Sequence, residues 1–272
     1  MTVLAVSPHL DDAAFSAGGT LAQLARGGAR VVVATVFTRS VAGPAGFALA
    51  CQTSKGIAPD ADYLAIRRAE DAAACRALGA EAVWLDLPEA PHRGYGSAAA
   101  LFAGVLPADA DAWRDIAAAV RALIRARRPD MLLSCQGLGG HVDHRHTVRA
   151  VAAVAARAGV PAAWWRDAPY TIREPDAAPD AGLPDGLACV VVPLAPVGLA
   201  AKLDACAAYA SQLPFQFARD RPGTGPEAAM RDALAAFAAA EGGGRPAEWW
   251  LADARATDVL RALANAASDP AP

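Results

Sequence analysis

The sequence predicts an α/β protein in which a mostly parallel sheet is covered by helices on both faces, a three-layer arrangement. Three observations predict it. Short Val- and Leu-rich runs alternate with longer amphipathic segments along most of the chain, the order that builds parallel sheets. The short runs are apolar on successive residues, as in strands buried on both faces. Two of them end in turns crowded with His and Asp, the edge at which an open α/β sheet binds its ligands.

Taken in order, Thr2 to Val6 is the first strand and Ala13 to Arg26 the first helix, with Ser7-Pro8-His9-Leu10-Asp11-Asp12 between them. Ala29 to Phe37, rich in Val, is the second strand. Asp60 to Leu78 is helical and closed by Gly79 as its C-cap. Ala82 to Leu87 is the third strand, and Ala108 to Arg128 a helix stopped by Pro129. Asp130 to Cys135 is strand-like and leads through Gly139-Gly140-His141-Val142-Asp143-His144-Arg145-His146 into a helix from Thr147 to Arg157. Val160 to Trp165 and Ala188 to Val192 are further strands. Helices near Val197 to Gln212 and Glu227 to Ala240 lead to a last strand at Glu248 to Leu251, and residues 268–272 are expected to fray. Gly18-Gly19 lies inside the first helix and fits neither the dinucleotide fingerprint nor the phosphate loop, so close helix packing is its expected role. The Trp164-Trp165 and Trp249-Trp250 pairs are expected to divide between core and rim.

A chain of 272 residues can bury a large core. Nothing in it reads as a linker, so residues 1–272 are taken as one domain with long pocket-lining loops at about 38–59, 88–107 and 167–186. A net charge of −3 and the absence of a Lys/Arg block argue against a nucleic-acid partner. Arg121, Arg125, Arg127 and Arg128 fall toward a predicted helix end, where cations suit the dipole. The five cysteines are scattered without a Cys-x-x-Cys pair and read as reduced, mostly buried thiols. No apolar run approaches the roughly 20 residues that span a bilayer, and no leader-like segment precedes the first strand. Cytoplasmic residence is the expectation.

The two His/Asp turns lie side by side if their strands are neighbours. His9, Asp12 and one histidine of the second turn then make a three-ligand site with a position left for water, as catalytic zinc requires. Asp11 is a spare carboxylate beside them, although it also suits a helix N-cap. Two imidazoles favour Zn2+ over magnesium, and Fe2+, Co2+ or manganese fit the same ligands.

At these motifs the chain resembles the PIG-L, or LmbE-like, family of zinc-dependent N-acetylglucosaminyl deacetylases. That family carries His-x-Asp-Asp after its first strand and His-x-Asp-His after a later one, matched by His9-Leu10-Asp11-Asp12 and His141-Val142-Asp143-His144. Weaker matches are Arg67-x-x-Glu70 with Ala74 and Leu78-Gly79, and Lys202 leading to Tyr209-Ala210-Ser211-Gln212. The resemblance implies a Rossmann-like, LmbE-type fold and hydrolysis of an acetamide on an N-acetylglucosamine-type conjugate. It implies that His9, Asp12 and His144 hold the metal and that Asp11 is the general base on the metal-bound water. It places His141 by the substrate carbonyl, oriented or charge-tuned by Asp143. If Asp143 raises its basicity, His141 is expected to be protonated when it steadies the oxyanion. Ala13 stands where the family often has Glu and Tyr209 where it often has His; both departures bear on the substrate.

Other residues carry a plain reading beside the functional one. Arg67 is a candidate substrate contact or half of a solvated ion pair with Glu70. The 88–107 loop holds His92, Arg93, Tyr95 and Phe102, able to stack on and hydrogen-bond to a sugar with Tyr95 as a substrate contact, or to act as a surface loop with an aromatic anchor. Asp143 can cap its helix instead of tuning a histidine, and His146 falls outside the matched motif. The expected partner is a small sugar or amide. An amidase of larger N-acyl or thiol-conjugate substrates uses the same machinery. A sugar-binding protein without turnover has no use for Asp11.

Overall fold

In the computed structural model, which describes residues 1–219 and 223–268, the chain forms seven strands and nine helices among the described residues. In chain order these are β1 (Thr2–Ser7), α1 (Asp12–Arg26), β2 (Arg30–Phe37), α2 (Gly46–Thr53), α3 (Tyr63–Leu78), β3 (Glu81–Leu87), α4 (Trp113–Arg127) and β4 (Met131–Cys135). They continue with α5 (Val142–Ala158), β5 (Ala162–Trp165), α6 (Tyr170–Arg173), β6 (Ala188–Pro193), α7 (Pro196–Ala207), α8 (Pro226–Glu241), β7 (Ala247–Ala252) and α9 (Ala254–Ser268). The sheet order is β3-β2-β1-β4-β5-β7-β6. The first five strands in that order are parallel, and β7 runs antiparallel to both β5 and β6.

The apolar runs explain the layers. Val3 and Ala5 of β1 pack into a core shared with α1, α3, α7, α8 and α9, whereas Leu4 and Val6 pack on the other face against α4 and α5. Successive side chains of a strand point to opposite faces, so a strand covered on both sides must be apolar throughout. Trp164 and Trp165 obey the same alternation and are both buried, one in each core; neither is at the rim. Trp250 is buried and Trp249 half-buried, as expected of a divided pair.

Several boundaries differ from the sequence reading. The short α2 lies inside the 38–59 loop, α4 starts at Trp113 after a separate turn at Pro107–Asp109, and α7 stops at Ala207. Helix α9 has no counterpart in the sequence reading, because its buried Ala256 and Leu260 are diluted by Ala, Asp and Arg. The expected fraying at 269–272 lies outside the described residues. The cysteines are all free thiols, three of them buried.

Helix α1 approaches α7 closely. A Cβ on Gly18 would come 3.1 Å from Lys202 Cγ, and one on Gly19 would come 2.6 Å from Leu194 Cδ1. In the space that remains, fully buried Lys202 donates from Nζ to the Ser16 carbonyl at 3.1 Å and to Glu248 Oε1 at 2.7 Å. The Glu248 carboxylate also accepts from the Gly19 and Thr20 amides at 3.0 and 2.8 Å. A charge pair buried in the core is thus satisfied by the backbone of the helix whose first turn carries Asp12.

Candidate metal centre and active site

Strands β1 and β4 are neighbours, so the turns that leave their carboxyl ends meet. The first turn is held in shape by its own polar groups. Ser7 Oγ donates to the His9 carbonyl at 2.7 Å and accepts from the Ala13 amide at 3.1 Å, and the His9 amide donates to Asp12 Oδ2 at 2.8 Å. Asp11 occupies the N-cap position of α1, yet its carboxylate makes no capping hydrogen bond. The bland reading of that residue finds no support.

Helix α5 begins at Val142, five residues before the sequence reading placed it, so Asp143 and His144 sit in its first turn. The N-cap is His141, whose Nδ1 accepts from the Asp143 amide at 3.2 Å. An imidazole is an uncommon cap, which is why the helix start was not read from the sequence.

His9, Asp12 and His144 bring one ligand atom each to within 4.8 Å of one another. His9 Nδ1 and His144 Nε2 both lie 3.2 Å from Asp12 Oδ2. Metal bonds of about 2.0–2.1 Å in a tetrahedral site put ligand atoms roughly 3.3 Å apart, so this spacing suits a small divalent cation. His144 Nε2 is buried and makes no hydrogen bond, a costly arrangement unless a cation takes its lone pair. The outer nitrogens are each held by a carboxylate. His9 Nε2 lies 3.0 Å from Asp143 Oδ2, and His144 Nδ1 lies 2.8 Å from Asp167 Oδ1. Carboxylates in that place orient an imidazole ligand and raise its basicity. Burial opposes charge on His9, but Asp12 and Asp143 outweigh it and hold its pKa up to about 9. Three carboxylates, Asp12, Asp143 and Asp167, thus surround the two imidazoles.

Asp167 was missed by the sequence reading. Its Oδ2 accepts from the amides of Gln136 and Leu138 at 3.0 and 3.2 Å, which fixes it under His144. The one available signal was its position just after β5, at the same sheet edge as the two motifs.

Two expected roles are corrected. The Asp143 carboxylate does not reach the His141 ring in any hydrogen bond; it accepts from His9 Nε2 and from the Ala90 amide at 3.1 Å, and Arg93 Nη2 lies 2.7 Å from its Oδ1. The surroundings of His141 also disfavour the expected cation. Burial outweighs the pull of Asp143 and pushes its pKa down to about 3. Because Nδ1 accepts the Asp143 amide, the neutral ring carries its hydrogen on Nε2 and is a donor there.

Arg67 and Tyr95 are also placed differently from expectation. Arg67 is buried and does not pair with Glu70, which instead accepts from Ser211 N and Oγ. Its Nη2 donates to Asp11 Oδ1 at 3.0 Å and its Nη1 to Glu89 Oε1 at 2.8 Å. Burial raises the Asp11 pKa, and Arg67 opposes that rise. Tyr95 is 1% exposed, with its hydroxyl donating to Asp109 Oδ2 at 3.0 Å and accepting from the Leu106 amide at 3.1 Å. It anchors the loop and presents no surface to a ligand. The aromatic that faces the site is Phe102, 46% exposed, with ring centroids 5.3 Å from His141 and 6.2 Å from Tyr170. Tyr170 in turn packs edge-on against His144 at 5.1 Å, filling space that a Cβ on Gly139 would need. His146 is buried behind the site, its Nε2 3.0 Å from Asp109 Oδ2.

A parallel-sheet scaffold with two imidazoles and one carboxylate converging at its carboxyl edge, and a spare carboxylate beside them, defines a candidate metal-assisted hydrolase site. The chain belongs to the PIG-L family: the family profile described as GlcNAc-PI de-N-acetylase matches residues 4–155, which contain both motifs. It is 36% identical over 169 residues to the 2'-N-acetylparomamine deacetylase of Streptomyces fradiae, covering 61% of this chain and 57% of that protein. The matched part thus spans little more than half of that relative's length. The fold is similar to a zinc-inhibited form of the teicoplanin deacetylase Orf2, with a TM-score of 0.79, 29% identity and coverage of 93% of this chain and 97% of that one. It is also similar to Dbv21, the deacetylase of the A40926 pseudoaglycone, with a TM-score of 0.77, 30% identity and coverage of 92% and 96%.

Proposed function

We propose that this chain is a metal-dependent N-deacetylase that hydrolyses the acetamide of an amino-sugar conjugate. The observation that carries the reading is the convergence of His9, Asp12 and His144 with Asp11 next to them in sequence. The relatives that act on N-acetylparomamine, teicoplanin and a pseudoaglycone support an N-acetylated sugar borne on a larger aglycone as the substrate class. His9, Asp12 and His144 would hold the cation. Zinc is the first candidate, and Fe2+ or Co2+ suit the same donors. When bound, the ion supplies Lewis acidity towards water and the amide carbonyl. All of residues 1–272 would act as one deacetylase domain, with the 38–59, 88–107 and 167–186 loops around the pocket.

The protein's own groups then have distinct tasks. Arg67 engages Asp11 Oδ1 and leaves Oδ2 to accept the proton of the attacking water. His141 Nε2–H donates to the carbonyl oxygen as negative charge develops there, and being neutral it needs no protonation step. Asp11, now protonated, returns the proton to the departing amine, because the only hydrogen on His141 is committed to the oxyanion. Phe102 and Tyr170 wall the pocket beside His141.

The test is to strip the purified protein of metal, reload it, and incubate it with N-acetylated amino sugars on aminocyclitol and glycopeptide aglycones, assaying free amine. Turnover that depends on added metal is expected. Asp11→Asn should keep its metal and lose on the order of 10²–10⁴ in rate. No amine release from any substrate, or an Asp11→Asn rate near wild type, would overturn the reading.

A further inference from the structure

We propose that Arg93 is a positioning residue for the metal site, fixing Asp143 and through it the imidazole of His9, so that the 88–109 segment and the metal are thermodynamically coupled. The inference rests on the metal-site reading above and concerns a residue outside both sequence motifs.

The geometry is a fork. Arg93 Nε donates to Asp109 Oδ1 at 2.9 Å and Nη2 to Asp109 Oδ2 at 3.0 Å, while Nη1 donates to the Pro88 carbonyl at 2.7 Å. The same Nη2 lies 2.7 Å from Asp143 Oδ1, off the direction of a straight hydrogen bond but in close ion-pair contact. The Arg93 side chain is only 11% exposed and that of Asp143 is fully buried. The Arg93 guanidinium also covers the face of Phe37 at 4.8 Å, and the Phe37 ring lies 5.9 Å from that of His9. Arg93 thus reaches His9 by a polar route through Asp143 and an apolar one through Phe37.

A loop anchor alone would need only Asp109 and the Pro88 carbonyl. Asp109 is itself tied to Tyr95 Oη and His146 Nε2, so the loop already has a firm knot. The additional contact with Asp143 serves another purpose. Asp143 carries a buried negative charge: its Oδ2 meets His9 Nε2 and the Ala90 amide, and its Oδ1 lies against Arg93. Without the guanidinium Oδ1 has no partner, and only the His9 and Ala90 bonds to Oδ2 restrain the carboxylate, so the acceptor that sets the His9 ring is held less firmly. Groups that orient an imidazole ligand typically contribute 10–100-fold in metal affinity. Since Phe102 rides on the same segment, anything that presses on this wall of the pocket also acts on the metal.

The test uses the full chain, stripped of metal and titrated with Zn2+ alone against a chromophoric chelator. Arg93→Ala should weaken Zn2+ binding 10–100-fold, and Asp143→Asn by a similar factor. The double variant should be no worse than the weaker single within about threefold, because both changes cut one path. Wild type should show slower amide exchange across residues 88–109 when Zn2+ is added, and Arg93→Ala should not. Arg93→Lys keeps the charge but cannot fork between Asp109 and Asp143, so a several-fold loss is expected; this variant decides the matter if Arg93→Ala does not fold. Affinity within twofold of wild type in Arg93→Ala or Arg93→Lys, or losses that multiply in the double variant, would overturn the proposal. Wild-type protein that takes up no Zn2+, or a His9→Ala variant that binds it unchanged, would overturn the metal-site reading itself.

Discussion

Lys202→Met should be among the most destabilising single changes in this chain. The methionine matches the length of the side chain and fills the space beside Gly18, so the change is chiefly electrostatic. It leaves Glu248 charged in the core, 3% exposed, with the Gly19 and Thr20 amides as its remaining donors. It also strips the Ser16 carbonyl of its Nζ donor. Breaking one side of a buried pair costs about 3–5 kcal/mol; the two surviving amide bonds place this case near the low end, at about 3 kcal/mol. For a chain of this size that lowers the melting temperature by roughly 5 °C. The assay is urea unfolding of metal-free protein, so that metal binding adds nothing to the native state. Lys202→Met/Glu248→Gln should recover part of the loss, since Gln removes the uncompensated charge and its carbonyl oxygen can still accept from one helix N–H. A single-variant cost under about 1 kcal/mol, or a double variant less stable than the single, would refute the view that this pair is held as a charged unit.

Two further outcomes are expected. Burial pushes the Asp71 carboxyl up to about 6 from 3.8, against the hydrogen bonds it accepts from Trp84 Nε1 and Tyr209 Oη. The folded state therefore holds this proton more tightly than the unfolded one. Its contribution is fully present below pH 4 and is lost as pH rises to about 6, in total about 3 kcal/mol. Asp71→Asn should flatten that part of the stability–pH curve from urea titrations, and an unchanged slope would assign it to other groups. Asp167→Asn should weaken metal binding 10–100-fold by chelator competition while the circular dichroism spectrum stays the same; undiminished affinity would mean that His144 needs no orienting partner.

The residues of the candidate metal site were legible because each motif is contiguous and abuts a recognisable strand. His9 and Asp12 share one turn and His144 the next, and the β1–β4 pairing does the rest. What the sequence could not reveal is which far group each side chain meets. Arg67 and Glu70 stand at helical spacing for an ion pair, yet the fold turns one towards Asp11 and the other towards Ser211. Asp143 was paired on paper with the histidine two residues before it, but its carboxylate reaches His9, 134 residues away. Tyr95 and Phe102 lie in one loop with similar chemistry, and only burial separates the anchor from the residue that faces the site. Helix α9 stayed hidden for a compositional reason: where alanine is everywhere, an apolar stripe has little contrast.

The direct pairing of β1 with β4 also divides the labour of the chain. Everything between residues 38 and 130 is, topologically, an excursion that leaves the seam and returns to it. Lengthening the parts of that excursion that lie away from Arg67 and residues 88–109 would not move His9 relative to His144, because the register of two adjacent strands fixes the turns that carry them. Those parts of the loops can therefore change while the candidate centre stays put.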